Sequence, residues 1–128
     1  MIVLAIDHGE ARAGIAISDA TATLARPLDV VEPPDPKEIA EVIDENGAEL
    51  VVVGLPVSLD GTEGAQAASA RAFADALADL VRVPVETYDE RLTTRLADAS
   101  GRAGARAPRD ALAAAHLLES YLLSMEAS

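Results

Sequence analysis

The chain has 128 residues, room for one domain that buries most of the surface its unfolded form exposes, and no cysteine, which removes disulfides, zinc-thiolate sites and thiol nucleophiles together. Ten Lys and Arg against 22 Asp and Glu give a net charge of −12, the wrong sign for a protein that binds nucleic acid over its whole surface. No apolar run reaches the ~18 residues of a membrane span, and the start lacks a signal peptide's charged region and cleavage site, so a cytoplasmic protein away from membranes is expected.

Ile2 to Ile6 is a continuous apolar run too short for a helix, which suits a strand buried on both faces. It stops at Asp7. A carboxylate there is held by the sheet while the loop beyond stays open to ligand, although Asp7 reads equally as a turn residue before a glycine. His8-Gly9 and Ala13-Gly14 bracket a short polar segment, and Ile15 to Ser18 resume a strand, as in a hairpin. Leu24 to Val31 reads as a third strand that Pro27 confines to an edge or a bulge. After a stiff Glu32-Pro33-Pro34 connector, Asp35 is placed as N-cap, Pro36 at the first helical position and Glu38 as the partner in a capping box. Ile39, Val42 and Ile43 share one face of that helix, and Gly47 is placed to end it.

Glu49 to Leu55 is the second fully apolar run and should lie parallel to the first strand, beside it. Gly54 and Pro56 mark its exit and, with Asp60 and Gly61, shape the loop that follows. A long helix to about Val81 is expected to bury Phe73, Ala76, Leu77 and Leu80. Val83 to Tyr88 reads as a third buried strand ending in Asp89 and Glu90. Thr93 or Thr94 can cap a short helix through Ala99, and an arginine-bearing loop runs from Gly101 to Pro108. A final helix has Ala111, Ala115, Leu118, Leu122 and Met125 as its core face. The fold class is therefore α/β: a mixed five-stranded sheet, three antiparallel strands plus two parallel, flanked by helices.

Asp7 and Asp89-Glu90 end apolar strands at the edge where open α/β sheets place ligands, and Asp110, in the first turn of the last helix, can approach the same edge. Carboxylates converging there without cysteine or a histidine pair select hard cations, Mg²⁺ or Mn²⁺, over zinc. Two such ions about 3.5 to 4 Å apart serve phosphodiester hydrolysis. Arg91 beside Glu90 is placed to hold a phosphate. From Arg91 to Arg109 there are five arginines and one acid, a local charge of +4 that leaves −16 for the remainder, so a polyanion should dock there. Taken singly, Arg102 and Arg106 read as solvated surface. His8 reads as a loop residue rather than a catalytic base.

The pieces Asp7 to Asp19 (D-x-G-x-x-R-x-G-x-A-x-S-D), Val51 to Pro56, Asp60 to Ala67 (D-G-T-E-G-x-Q-A), Asp89 to Thr94 (D-E-R-L-T-T) and Arg109 to Ala114 resemble the YqgF/RuvX family, in order and over nearly the whole chain. The resemblance implies an RNase H-like fold related to the RuvC resolvases and a nuclease that matures the 5′ end of pre-16S ribosomal RNA; Holliday-junction resolution is the older proposal for the family. Carried over residue by residue, it implies Asp7, Glu90 and Asp110 as metal ligands and catalytic acids, with Asp89 competing with Glu90. Gly9, Arg12 and Gly14 would shape the loop beside Asp7, and Arg12, Arg91, Arg95 and Arg109 would contact substrate. Asp60 and Glu63 belong to a motif without an assigned role and read equally as a capped helix start. The segment between D-E-R and Asp110 is shorter than the family's and lacks its lysine-arginine cluster. Two other readings stand beside the nuclease: a non-catalytic nucleic-acid-binding assembly factor, and, from Asp7-His8-Gly9, a phosphate loop like that of sugar kinases, which need two such domains. Nothing in the residues chooses between monomer and homodimer.

Overall fold

The computed structural model describes residues 1–58, 60–92 and 108–126. Strand β1 spans Val3–His8, β2 Ala13–Ser18, β3 Ala25–Val31, β4 Leu50–Leu55 and β5 Val85–Asp89. Helix α1 spans Pro36–Glu45, α2 Ala65–Ala78 and α3 Arg109–Glu126, with a 3₁₀ turn at Glu90–Leu92. The strands form one five-stranded sheet in the order β3-β2-β1-β4-β5. β1, β2 and β3 are antiparallel neighbours, β4 runs parallel to β1, and β5 runs parallel to β4. This is the mixed sheet that the alternation of apolar runs and helices predicts, and β3, carrying Pro27, lies at an edge.

Side chains alternate along a strand, so the two central parallel strands serve two cores at once. Leu4, Ile6, Val51 and Val53 pack with Ile39 and Ile43 of α1 and Phe73 and Leu77 of α2. Val3, Ala5, Leu50 and Val52 pack on the other face with Ala114, Leu117, Leu118 and Leu122 of α3. That is why β1 and β4 read as unbroken apolar runs. Each fully buried Leu, Ile or Val among them contributes roughly 1.5–3 kcal/mol of transfer free energy.

Local chemistry sets the ends of α1. Asp35 accepts from the Lys37 amide at 3.1 Å. At the other end Gly47 has φ +65°, and the Gly47 and Ala48 amides donate to Asp44 and Ile43 carbonyls, both at 3.2 Å, closing the helix with a left-handed cap. The capping box does not form: the Asp35 amide, which Glu38 would have engaged, instead donates to the Pro33 carbonyl at 2.8 Å.

Other boundaries differ from the sequence reading for identifiable reasons. β5 is an edge strand with one hydrogen-bonded neighbour, so Glu86 and Thr87 are exposed and it is not the third buried strand expected. α2 buries a stripe of Ala67, Ala70, Phe73, Ala74 and Leu77 and ends at Ala78, which leaves Ala76 on the outer face and Leu80 in the following turn, 47% exposed. Its N-cap is Gly64, without a side-chain cap, so neither Asp60 nor Thr62 starts the helix. Met125 falls in the last turn of α3, beyond Leu122, and is exposed. The short helix expected from Thr93 or Thr94, and the loop from Gly101, lie outside the described residues.

α3 crosses β2 at Gly14. A Cβ on Gly14 would sit 1.9 Å from the Asp110 carbonyl oxygen and 2.3 Å from its carbon, both backbone atoms that cannot swing away. The missing side chain lets the first turn of the helix lie directly on the sheet. Gly14→Ala is expected to cost at least about 3 kcal/mol in urea unfolding, because helix and strand must separate. Gly64→Ala, where a Cβ meets nothing within 4 Å, should stay within about 0.5 kcal/mol of the parent.

Candidate functional site

Alternation along β1 sends Asp7 to the α3 face, with Val3 and Ala5, and His8 to the α1–α2 face. His8 stacks there on Phe73 of α2, with ring centroids 4.7 Å apart. Asp7 pairs across the sheet with Gly14. On its other side the register runs Ile6 to Val53, so Gly54 is the next neighbour. Asp7 thus sits between two glycines.

The second glycine makes room for Glu90. A Cβ on Gly54 would lie 2.7 Å from Glu90 Oε1 and 2.8 Å from Leu117 Cδ2 of α3. The chain leaves extended conformation after Asp89, and the 3₁₀ turn decides between the two adjacent acids. Asp89 is engaged by Arg91, which donates to it from the backbone amide at 2.9 Å and from Nη2 at 2.6 Å. Glu90 turns to Asp7, close enough that a proton on either carboxyl would be shared between the two. Burial is the largest cause pushing Asp7 above the usual carboxylate range, and the charge of Asp110 adds to it. Burial and then the charge of Asp7 push Glu90 up to about 7.

Asp110 projects from the first turn of α3, where the helix dipole favours an acid. Its Oδ2 lies 3.6 Å from Arg12 Nη1, and Arg12 Nε donates to Glu32 at 3.3 Å. Arg12 therefore ties the β1–β2 loop to α3. In that loop the Gly9 amide donates to the Arg12 carbonyl at 2.9 Å, an approach a Cβ on Gly9 would block at the same distance.

The carboxylate pair opens into a cleft of about 130 Å³ lined also by His8, Gly9, Glu10, Pro56, Gln66 and Ser69. Gln66 and Ser69 stand three residues apart on α2 and share a face. The loop before α2 is pinned from both sides. Glu63 receives two hydrogen bonds from Arg71, at 2.6 and 2.7 Å, and bridges to Val57. Asp60 closes a turn onto the Thr62 amide at 2.9 Å, and Gly61 takes φ +88°. These two acids brace the wall of the cleft rather than cap a helix.

Of the site residues expected from sequence, Asp7, Glu90, Gly9 and Pro56 meet at the cleft, Gly14 and Gly54 flank Asp7, and Asp110 and Arg12 adjoin it. Arg91 is engaged by Asp89, Arg109 is exposed at the start of α3, and Arg95 lies outside the described residues. Gln66 was legible as part of the D-G-T-E-G-x-Q-A motif; Ser69 and Glu10 carried no signal of their own.

The donor set fits a hard divalent cation: two half-buried carboxylates that repel one another until a proton or a metal ion sits between them. Among the described residues no three acids or histidines stand close enough around one point to hold an ion unaided. Asp7 and Glu90 would hold it, with Asp110, waters or a phosphate completing the shell.

A mixed sheet in this order, closed by a helix bearing an acid opposite the first strand's acid, is the RNase H-like resolvase fold. RuvC of Thermus thermophilus in complex with a Holliday junction substrate superposes with a TM-score of 0.67 at 21% identity, covering 100% of this chain and 97% of that one. The Fowlpox virus resolvase follows at a TM-score of 0.58 and 12% identity, with 98% and 99% covered. The chain belongs to the RuvX family, whose model, described as a Holliday junction resolvase, matches residues 1–124. A protein of Chloroflexus aurantiacus named "Putative pre-16S rRNA nuclease" is 40% identical over 94% of this chain and 86% of its own length. One of the same name from Caldanaerobacter subterraneus is 37% identical over the full length of both.

The raised Glu90 sets a pH dependence for the metal-free protein. A group whose folded pKa lies above its unfolded value contributes stability below the unfolded value, near 4.5, and loses it as pH rises through about 7. Glu90→Gln, which cannot ionise, should therefore melt about 3 °C or more above the parent at pH 8 in chelator, with the gap closing by pH 5. Differential scanning calorimetry at the two pH values checks this.

Proposed function

We propose that this protein is a divalent-metal-dependent nuclease that hydrolyses phosphodiester bonds at the 5′ end of pre-16S ribosomal RNA in the cytoplasm. The observation that carries the reading is the Asp7–Glu90 pair, half-buried in the lining of one cleft, with Asp7 set between two glycines. No structural need explains bringing two carboxylates together there, since each would be more stable alone in water. Membership of the RuvX family and the name shared by its relatives support the same activity.

In this reading Asp7 and Glu90 hold Mg²⁺ or Mn²⁺, with Asp110 as third ligand from α3. When bound, the metal supplies Lewis-acid activation of a water and neutralises charge on the scissile phosphate, a role that one or two ions fill in carboxylate nucleases. Arg12 and Arg109 contact the backbone phosphates on the α3 side, contacts that position the strand without reading its sequence. Gln66 and Ser69 offer uncharged hydrogen-bonding groups on the opposite wall, where an acid would repel the strand. Arg91 keeps Asp89 turned away so that Glu90 alone faces Asp7. The family's description makes a four-way DNA junction the second substrate to test.

The test incubates labelled precursor rRNA and a four-way DNA junction with Mn²⁺, with Mg²⁺ and with chelator. Cleavage of the RNA in either metal, abolished by chelator, is expected. Asp7→Ala should lower the rate at least about 100-fold, the scale of losing a group that acts on reacting charge. Its melting temperature should not fall, because one of two repelling carboxylates is gone. RNA binding without cleavage under every condition would instead make the protein an assembly factor.

A further inference from the structure

α3 carries one polar residue inside its apolar face. Ser120 is 2% exposed among Leu117, Leu118 and Leu122. Its hydroxyl donates to the Leu92 carbonyl at 2.8 Å and stands 3.0 Å from the Tyr88 hydroxyl. A serine has one proton to give, so Leu92 takes it and the Tyr88 hydroxyl is the donor in the second bond. Tyr88 in turn meets Tyr121 edge to face at 5.4 Å, and Tyr121 donates to Glu86 at 2.6 Å.

These contacts fall on both sides of Glu90. Tyr88 is two residues before it and Leu92 two residues after it, at the end of the 3₁₀ turn. A single buried side chain thus ties both ends of the segment bearing Glu90 to α3. The same helix presents Asp110 ten residues earlier and Leu117 three residues earlier, and Leu117 shares with Glu90 the space above Gly54. Spacings of seven and three place Asp110, Leu117 and Ser120 along one stripe of the helix. A rigid helix with one end seated on Gly14 and its middle fastened to the 3₁₀ turn sets where Glu90 lies relative to both other acids.

We propose that Ser120, with Tyr88, is a positioning residue for the reaction: it fixes the 3₁₀ turn so that Glu90 faces Asp7 at the separation a bound cation needs. The inference rests on the nuclease reading, and it goes beyond a buried hydroxyl finding partners. A purely structural serine would contribute stability without altering how the acid pair holds an ion. Groups that orient metal ligands in this way typically change metal affinity or activity 10- to 100-fold when removed.

The test compares Ser120→Ala and Tyr88→Phe with the parent in three measurements: Mn²⁺ affinity by titration calorimetry, deuterium uptake over residues 88–92, and kcat and KM on the RNA. For Ser120→Ala, Mn²⁺ affinity and kcat should each fall about tenfold with KM unchanged. Uptake should rise over 88–92 and stay unchanged in β1. Tyr88→Phe should shift each quantity the same way by less, and it carries the test if Ser120→Ala does not fold. Parent-like Mn²⁺ affinity and parent-like uptake in a variant with a lowered melting temperature would overturn the proposal. If the parent neither binds Mn²⁺ nor cleaves, the nuclease reading fails, while uptake over 88–92 still decides whether Ser120 holds the turn.

Discussion

The structure depends on side chains that are missing at two places on one sheet face. Gly14 and Gly54 flank Asp7 on adjacent strands, and each leaves a space that something else occupies: the backbone of α3 in one case, the carboxylate of Glu90 in the other. Steric exclusion is the least forgiving of the forces at work here. A methyl at Gly14 would push the helix that bears Asp110 away from the sheet, and one at Gly54 would displace Glu90 from Asp7. The approach of Glu90 to Asp7, and of the helix that bears Asp110 to the same sheet face, is thus a packing result before it is an electrostatic one.

Electrostatics then opposes what packing imposes. Among the described residues three nearby arginines are engaged by other acids: Arg91 by Asp89, Arg12 by Asp110 and Glu32, Arg71 by Glu63. Asp7 and Glu90 face one another instead, both raised in pKa first by burial, Asp7 also by the charge of Asp110 and Glu90 by the charge of Asp7. Surface pairs of this kind add little stability individually. Their effect here is to organise: Arg91 removes Asp89 from competition, Arg71 braces the wall of the cleft through Glu63, and Arg12 ties the β1–β2 loop to the last helix. The uncompensated pair is the part of the site whose repulsion a divalent cation would relieve.

A net charge of −12 sits uneasily with a polyanionic substrate. The arginines committed to Asp89 and Glu63 cannot also carry the whole attraction. In the proposed reading, cations held by Asp7 and Glu90 and uncharged donors such as Gln66 and Ser69 would add to the grip that Arg12 and Arg109 supply. Binding of that kind is expected to depend on the metal as much as on salt.

Much of this protein was settled by its sequence. Periodicity distinguished strands from helices, because burial on two faces or one leaves different apolar patterns, and it placed β1 beside β4 and Pro27 at an edge. The family motifs named Asp7, Glu90 and Asp110. Tertiary structure alone decided the rest. Whether Asp89 or Glu90 faces Asp7 turns on where β5 gives way to a 3₁₀ turn, which adjacent acids cannot signal. β5 proved an edge strand because exposure depends on how many neighbours a strand has, and Leu80 and Met125 lie outside the core because helix ends are set by what they pack against. That Gly14 and Gly54 flank Asp7, and that Ser120 reaches back to Leu92, are facts of register between segments up to 47 residues apart. A one-dimensional pattern records which side chains prefer to be buried, but distances across the sheet arise only when the chain closes on itself.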